Sequence, residues 1–193
     1  MSKLYFKYGA MGCSKTAQAL MCKFNYEQQG FNVLLLKPVI DTRDIKDNKI
    51  VVKSRIGLYS DCITFNSSDS LKQIFNLYNK QTKIDVIIVD ECQFCTSEQI
   101  EELKDISLVQ TVLCYGLLTN FKTELFEGSK RLVELADSLQ ELKSVCKCGK
   151  KANVNARFVN GKIIKDGQTI AIENQNDVSY IAMCYDCYIK YKL

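Results

Sequence analysis

Histidine is absent from all 193 residues, so a metal site in this chain has to be built from thiolates or carboxylates. Apolar runs never reach the roughly 18 residues of a membrane-crossing helix. No signal-like segment precedes the first strand pattern, and a soluble, cytoplasmic protein without membrane attachment is therefore expected. A dominant charge sign is missing too: 26 basic and 22 acidic residues leave a formal net charge of +4. Neither sign forms a long run, so charge alone implies no nucleic-acid partner. With 47% apolar residues, the chain can build one sizeable core and a small appended module, not two large domains.

Cysteine is the abundant exception, with ten residues. Cys13, Cys22, Cys62, Cys92, Cys95 and Cys114 are scattered through apolar or loop positions and read as reduced thiols. The other four fall in two pairs, Cys146-Lys147-Cys148 and Cys184-Tyr185-Asp186-Cys187. Two such pairs can bring four sulfurs into a tetrahedron around structural Zn2+, with Gly149 permitting a tight turn at the shorter pair. Four thiolates leave no open coordination position, which makes the metal structural. An Fe–S cluster or reactive thiols are the alternatives. Lys143, Lys147, Lys150, Lys151 and Arg157 form a basic cluster around this region. A nucleic-acid-binding zinc module would use such a cluster, but the chain as a whole lacks the charge asymmetry for it.

Near the start, Leu4-Tyr5-Phe6 leads into Gly9-Ala10-Met11-Gly12-Cys13-Ser14-Lys15-Thr16 and then a helix-compatible stretch. This is the strand, phosphate loop, helix order of a nucleoside triphosphate site. Backbone N–H groups and a helix N-terminus would face phosphate oxygens, Lys15 would reach the outer phosphates and Thr16 would meet Mg2+. Ser14 stands where glycine usually precedes the lysine, and its Cβ would crowd a phosphate or disfavour a left-handed backbone geometry. The plain alternative is a Gly-rich turn.

Further along, a helix is expected over 17–29 with Gly30 as its stop, followed by a buried strand at 31–36. A strand at 62–65, a helix at 69–78, a strand at 86–89, a helix at 97–106 and a strand at 111–115 follow. The alternation predicts an α/β fold with a parallel sheet covered by helices, as in P-loop NTPases. The strand Val86-Ile87-Ile88-Val89 ends in Asp90-Glu91, where parallel-sheet enzymes place functional side chains. Asp90 suits Mg2+ or a coordinated water, and Glu91 the nucleophile side of the phosphate. Acidic residues also cap helices, which is the structural alternative here. The stretch 117–126, with Leu117, Phe121 and Phe126, offers an acceptor pocket, although most aromatic side chains simply pack. Arg43 and Arg55 are candidate phosphate contacts through their planar donor forks.

Taken in order, these segments resemble the zinc-containing (type II) thymidine kinase family, bacterial branch, over nearly the whole chain. The phosphate loop resembles that family's Gly-x-Met-x-x-Gly-Lys-Thr form, with Ser14 replacing the second glycine. Asp41-Thr42-Arg43, Ser54-Arg55-Ile56-Gly57-Leu58 and Tyr115-Gly116-Leu117 through Ser129 are similar to further family segments, with Leu118 where arginine is common. The most specific match is Asp90-Glu91-Cys92-Gln93-Phe94. The resemblance makes Glu91 the general base, sets residues 9–16 and 90–93 against the nucleotide, and puts Met11, Arg43, Arg55, Phe94, Leu117, Phe121, Phe126 and Tyr180 at the substrate. It assigns Cys146, Cys148, Cys184 and Cys187 to zinc, and Tyr180 to a lasso loop covering thymidine, although Ile172 to Asp177 lack the usual glycine pair.

The resemblance also divides the chain into a kinase domain, residues 1–141, and a zinc-binding lasso domain, residues 142–193. It implies transfer of the ATP γ-phosphoryl group to thymidine or deoxyuridine, with deoxycytidine fitting less well. A homotetramer and feedback by thymidine triphosphate are implied as well. An ATP hydrolase, with Glu91 activating water, and a nucleotide-binding homologue without turnover are the competing functions.

Overall fold

The computed structural model describes residues 3–41, 44–46, 49–167 and 178–191. In chain order the elements are β1 (Leu4–Tyr8), α1 (Lys15–Gln28), β2 (Val33–Pro38), β3 (Ile45–Lys46), β4 (Lys49–Lys53), β5 (Tyr59–Asp61) and β6 (Ile63–Phe65). Next come α2 (Leu71–Gln81), β7 (Val86–Val89), a 3-10 turn at Cys92–Phe94, α3 (Ser97–Ile106), β8 (Thr111–Gly116), α4 (Glu127–Leu135) and β9 (Ser138–Glu141). The C-terminal part contributes β10 (Ser144–Val145), β11 (Lys151–Ala152), β12 (Val154–Val159), β13 (Lys162–Ile164), β14 (Val178–Met183) and α5 (Tyr185–Lys190).

Six strands form one sheet in the order β6-β2-β7-β8-β1-β9, every neighbouring pair parallel. Strands buried on both faces must be apolar throughout, and their alternation assigns each residue to a layer. Ile87 and Val89 of β7 join Leu34 and Leu36 of β2 and Val112 and Cys114 of β8 against α2, α3 and α4. Val86, Ile88, Leu35, Leu113 and Tyr115 point the other way, toward Ala19 and Leu20 of α1 and Val52 of β4. Burying each such aliphatic side chain contributes about 1.5–3 kcal/mol. Because the strands run in one direction, the ends of β1, β2, β7 and β8 open onto the same edge.

A ribbon of β3, β4 and β5 flanks that edge, and beyond β9 the chain forms the β10-β11 hairpin and a three-stranded sheet in the order β13-β12-β14. This last sheet has its own core of Val154, Ala156, Phe158, Ile163 and Tyr188. The parallel sheet covered by helices agrees with the expected architecture.

Several boundaries differ from expectation by a few residues, and two of the shifts have clear local reasons. Strand β2 starts at Val33 because Phe31 N–H still closes the helix end on Tyr26 O and Asn32 N–H turns to Asp85 Oδ2. Helix α2 starts after Ser70 because the Ser70 hydroxyl accepts the Gln73 N–H at 3.1 Å, while Asp69 Oδ2 accepts from Asn66 instead. Edge strand β9, Ser-Leu-Gln-Glu, carries too little apolar periodicity to be read as a strand.

Helix α3 begins with a complete capping box: Thr96 Oγ1 accepts the Gln99 N–H and Gln99 Oε1 accepts the Thr96 N–H. This cap fixes where the chain leaves the 3-10 turn beside the functional edge. Thr96→Ala is expected to cost about 1 kcal/mol, measured as a lowered urea midpoint with an unchanged m-value.

Candidate functional site

The sharp turns after β1 and β7 both use left-handed backbone. Ser14 lies at φ 66°, ψ 23°, the geometry for which glycine is the usual choice, and Glu91 at φ 53°, ψ 37°. Such conformations cost a non-glycine residue about 1–3 kcal/mol and persist only when surrounding structure imposes them. Ser14 is also the N-cap of α1, yet its side chain makes no capping bond and the first helical turn has no acidic residue. Helices α2 and α3, by contrast, are capped by hydroxyls. The start of α1 thus presents uncapped N–H groups, a partial positive charge suited to phosphate. Lys15 is buried beside them, its Nζ donating to the Gly9 and Ala10 carbonyls at 3.0 and 2.9 Å and lying 3.5 Å from Cys13 Sγ.

Asp90, directly after β7, is 3% exposed. Burial, then the neighbouring Glu91 charge, push its carboxyl up to about 7 against the opposing pull of Lys37, Thr16 and Lys15. Thr16 Oγ1 donates to Asp90 Oδ1 at 3.5 Å. A carboxylate and a hydroxyl that meet in a place unfavourable to uncompensated negative charge are a suitable pair of oxygen ligands for a hard cation.

Gln93 holds Glu91. Its Nε2 donates to Glu91 Oε2 at 2.5 Å and its Oε1 accepts the Leu117 N–H at 3.0 Å. Gly116 makes room for this arrangement, since a Cβ there would come within 2.7 Å of Gln93 Oε1. The Leu117 carbonyl in turn accepts the Ser129 hydroxyl, so both backbone groups of Leu117 are anchored by side chains.

These parts surround a cavity of ≈480 Å³. Met11, Gly12, Ser14, Lys15, Thr16, Asp90, Glu91, Leu117 and Arg55 line it, all residues singled out by the sequence. Lys37, Asp41, Asp44, Lys53 and Ser54 line it as well, without having been assigned a role. Lys37 is 1% exposed and satisfied by Asp41 at 3.1 Å, the Val51 carbonyl at 3.1 Å and Asp44 at 3.7 Å. An apolar strand ending in Lys-Pro was the available signal: a lysine terminating a buried strand needs fixed acceptors at the functional edge.

The other described candidates are not on its lining. Cys92 is buried against the core. Phe94 and Phe126 meet edge to face at 5.8 Å. Phe121 is 1% exposed and lies under the Arg157 guanidinium, 3.7 Å from its ring centre. Tyr180 lies on β14 and its hydroxyl accepts from Arg157 Nε at 2.9 Å. Arg43 and the lasso positions 172–177 fall outside the described residues.

Cys146, Cys148, Cys184 and Cys187 converge with all four sulfurs within 4.8 Å of one another. Cys148 and Cys184 are 3.5 Å apart. A tetrahedral ion with Zn–S bonds of about 2.3 Å needs sulfurs about 3.8 Å apart, so the spacing fits. Gly149 at φ +84° makes the turn that the short Cys-x-Cys pair needs. Backbone N–H groups of Cys148 and Cys184 draw the Cys146 thiol down to about 6, while its thiol neighbours push Cys187 up to about 12. The group favours thiolate at one corner but requires a cation to hold charge at all four.

The same cluster anchors α5, whose Tyr188 hydroxyl donates to the Phe121 carbonyl at 3.1 Å. The metal group therefore supports the loop that carries Leu117.

A family profile described as thymidine kinase matches residues 2–188. The chain is 40% identical over 190 residues to a thymidine kinase of Francisella tularensis, covering 95% of each chain. It is 40% identical to a thymidine kinase of Shewanella oneidensis over 187 residues, again 95% of each. A thymidine kinase of Rhodopirellula baltica is 42% identical over 178 residues, covering 89% of this chain and 82% of that one. Among the described residues no helix is long and apolar enough to cross a membrane.

Elemental analysis of reduced, purified protein is expected to find one zinc ion per chain. Cys184→Ser should abolish that stoichiometry and lower the thermal midpoint by several degrees, through loss of the α5 anchor.

Proposed function

This chain belongs to the thymidine kinase family, and we propose that its site transfers the terminal phosphoryl group of ATP to the 5′-hydroxyl of thymidine with Glu91 as general base. The observation that carries this reading is the Gln93 bridge, which holds Glu91 across the cavity from the uncapped start of α1. A base fixed by a neutral amide, beside a donor-rich loop, is arranged for a nucleophile arriving at a phosphoryl group.

Phosphate oxygens of ATP take the N–H groups of Gly12 and residues 14–16, the Cys13 N–H being held by the Ala10 carbonyl, and the Lys15 amine exchanges its carbonyl partners for the outer phosphates. Thr16 and Asp90 would hold Mg2+, which supplies charge neutralisation on the phosphates when bound. Glu91 accepts the 5′-hydroxyl proton as the oxygen bonds to the γ-phosphorus, and the bond to the leaving ADP oxygen breaks. Backbone N–H groups and Lys15 stabilise the charge that develops on the transferring group. Arg55, on the turn between β4 and β5, faces this cavity and serves as a phosphate contact; Arg43 is assigned the same role.

Met11 and Leu117 form the walls nearest the acceptor. Phe94 and Phe126, packed edge to face, and Phe121, on the loop that begins at Leu117, are assigned to the acceptor side as well. Zn2+ in the four-cysteine group has a structural role. Residues 142–193 act as a cover over the kinase domain of residues 1–141, with Tyr180 leading out of a lasso that shields the nucleoside from water. Thymidine triphosphate as feedback ligand at the acceptor site and a homotetrameric assembly complete the proposal. Neither a nucleic acid nor a membrane is among the partners.

Glu91→Gln keeps the shape and the Gln93 contact but removes the base. Turnover with thymidine is expected to fall about 10²–10⁴-fold while ATP affinity, measured by calorimetry, stays within a factor of two to three. Native turnover in this variant would exclude Glu91 as base. Deoxyuridine should serve as a second acceptor and deoxycytidine poorly.

A further inference from the structure

One buried side chain of the C-terminal sheet reaches two walls of the cavity at once. Asn155, on β12, is 3% exposed. Its Oδ1 accepts the Met11 N–H at 2.7 Å and its Nδ2 donates to the Thr119 carbonyl at 2.9 Å. The two bonds fix the orientation of the amide, because exchanging its oxygen and nitrogen would set donor against donor and acceptor against acceptor.

Met11 belongs to the phosphate loop, and Thr119 belongs to the loop that begins at Leu117, where it bridges to Leu125. Both Met11 and Leu117 line the cavity. The Met11 N–H is committed to Asn155, so the loop donors directed at phosphate begin at Gly12. Asn155 thus grips the phosphate loop on its acceptor side. Around it, the same C-terminal module holds the rest of the acceptor loop: Arg157 of β12 stacks on Phe121 at 3.7 Å, and Tyr188 donates to the Phe121 carbonyl. Strand β12 is the common reference to which both walls are tied.

We infer that Asn155 is a positioning residue for the acceptor: by tying Met11 to Thr119 it sets the gap between the Met11 and Leu117 walls, and so the placement of the nucleoside against Glu91. The role rests on the kinase reading above, but the tether itself does not. It also explains why a sheet outside the phosphate-binding fold bears on transfer. The amide acts at both loops without itself touching ATP.

Two variants test this. Asn155→Leu removes both bonds at similar volume. Asn155→Asp keeps an acceptor for Met11 and sets a carboxylate oxygen against the Thr119 carbonyl, which separates the two halves of the tether. For each folded variant, checked by circular dichroism, the KM for thymidine is expected to rise about tenfold with the KM for ATP within about a factor of two. A merely structural role would lower the active fraction, and with it kcat, leaving both constants alone. A thymidine KM that rises no more than the ATP KM overturns the inference, and if Asn155→Leu does not fold, Asn155→Asp decides.

Hydrogen exchange of the peptide covering residues 9–14 reads the tether without turnover. Exchange should be faster in Asn155→Leu than in the native chain and close to native in Asn155→Asp. A native chain that makes no nucleotide from thymidine overturns the kinase reading alone. Faster exchange in Asn155→Leu would then still support the tether, and unchanged exchange would contradict it.

Discussion

The carboxamide of Gln93 is the contact around which the functional edge is organised. It donates to Glu91 Oε2 and accepts from Leu117 N–H, so one side chain ties the turn after β7 to the turn after β8. Glu91 sits in left-handed backbone, a conformation that a glutamate abandons unless it is held. Gly116 provides the space and Ser129 secures the far side of Leu117. Loss of the Gln93 amide would uncouple the turn that carries Glu91 from the turn that carries Leu117.

The parallel sheet makes this possible. Strands β1, β7 and β8 pair in parallel register, so the phosphate loop, the Asp90-Glu91 turn and the acceptor loop leave the sheet side by side. The electrostatics follow from that convergence. Two adjacent carboxylates, one buried with its pKa pushed up to about 7, face a lysine and the positive end of α1. Such a site favours a ligand that brings phosphate negative charge together with a divalent cation. The C-terminal module supplies the second support, through Asn155 to the loops and through Tyr188 from the cysteine group.

Chemistry carried by contiguous residues was legible in the sequence. The strand, loop and helix around Lys15, the four-residue strand ending in Asp90-Glu91 and the two cysteines within each pair are marked within a few positions, because backbone geometry brings near neighbours together without reference to the rest of the fold. Strand β7 and helix α3 were readable to the residue, since an uninterrupted apolar run and a Thr-to-Gln capping box leave little choice. Contacts across long separations were not legible. Asn155 lies 144 positions from Met11, and nothing in its neighbours Val154 and Ala156 marks it apart from other strand residues. The end of an apolar strand marks Lys37, but not its acceptors, since the Val51 carbonyl of β4 meets it only in the fold. Phe121 was noticed as an aromatic beside the site, but its partner Arg157 comes from another sheet.

The destination of the phosphoryl group separates a kinase from a hydrolase most directly. Terminally labelled ATP incubated with the protein, magnesium and thymidine should yield labelled thymidine monophosphate, with little free phosphate and none of the nucleotide product when magnesium is chelated. Labelled free phosphate at the same rate with or without thymidine, and no labelled nucleotide, would contradict it and make Glu91 the activator of water in an ATP hydrolase.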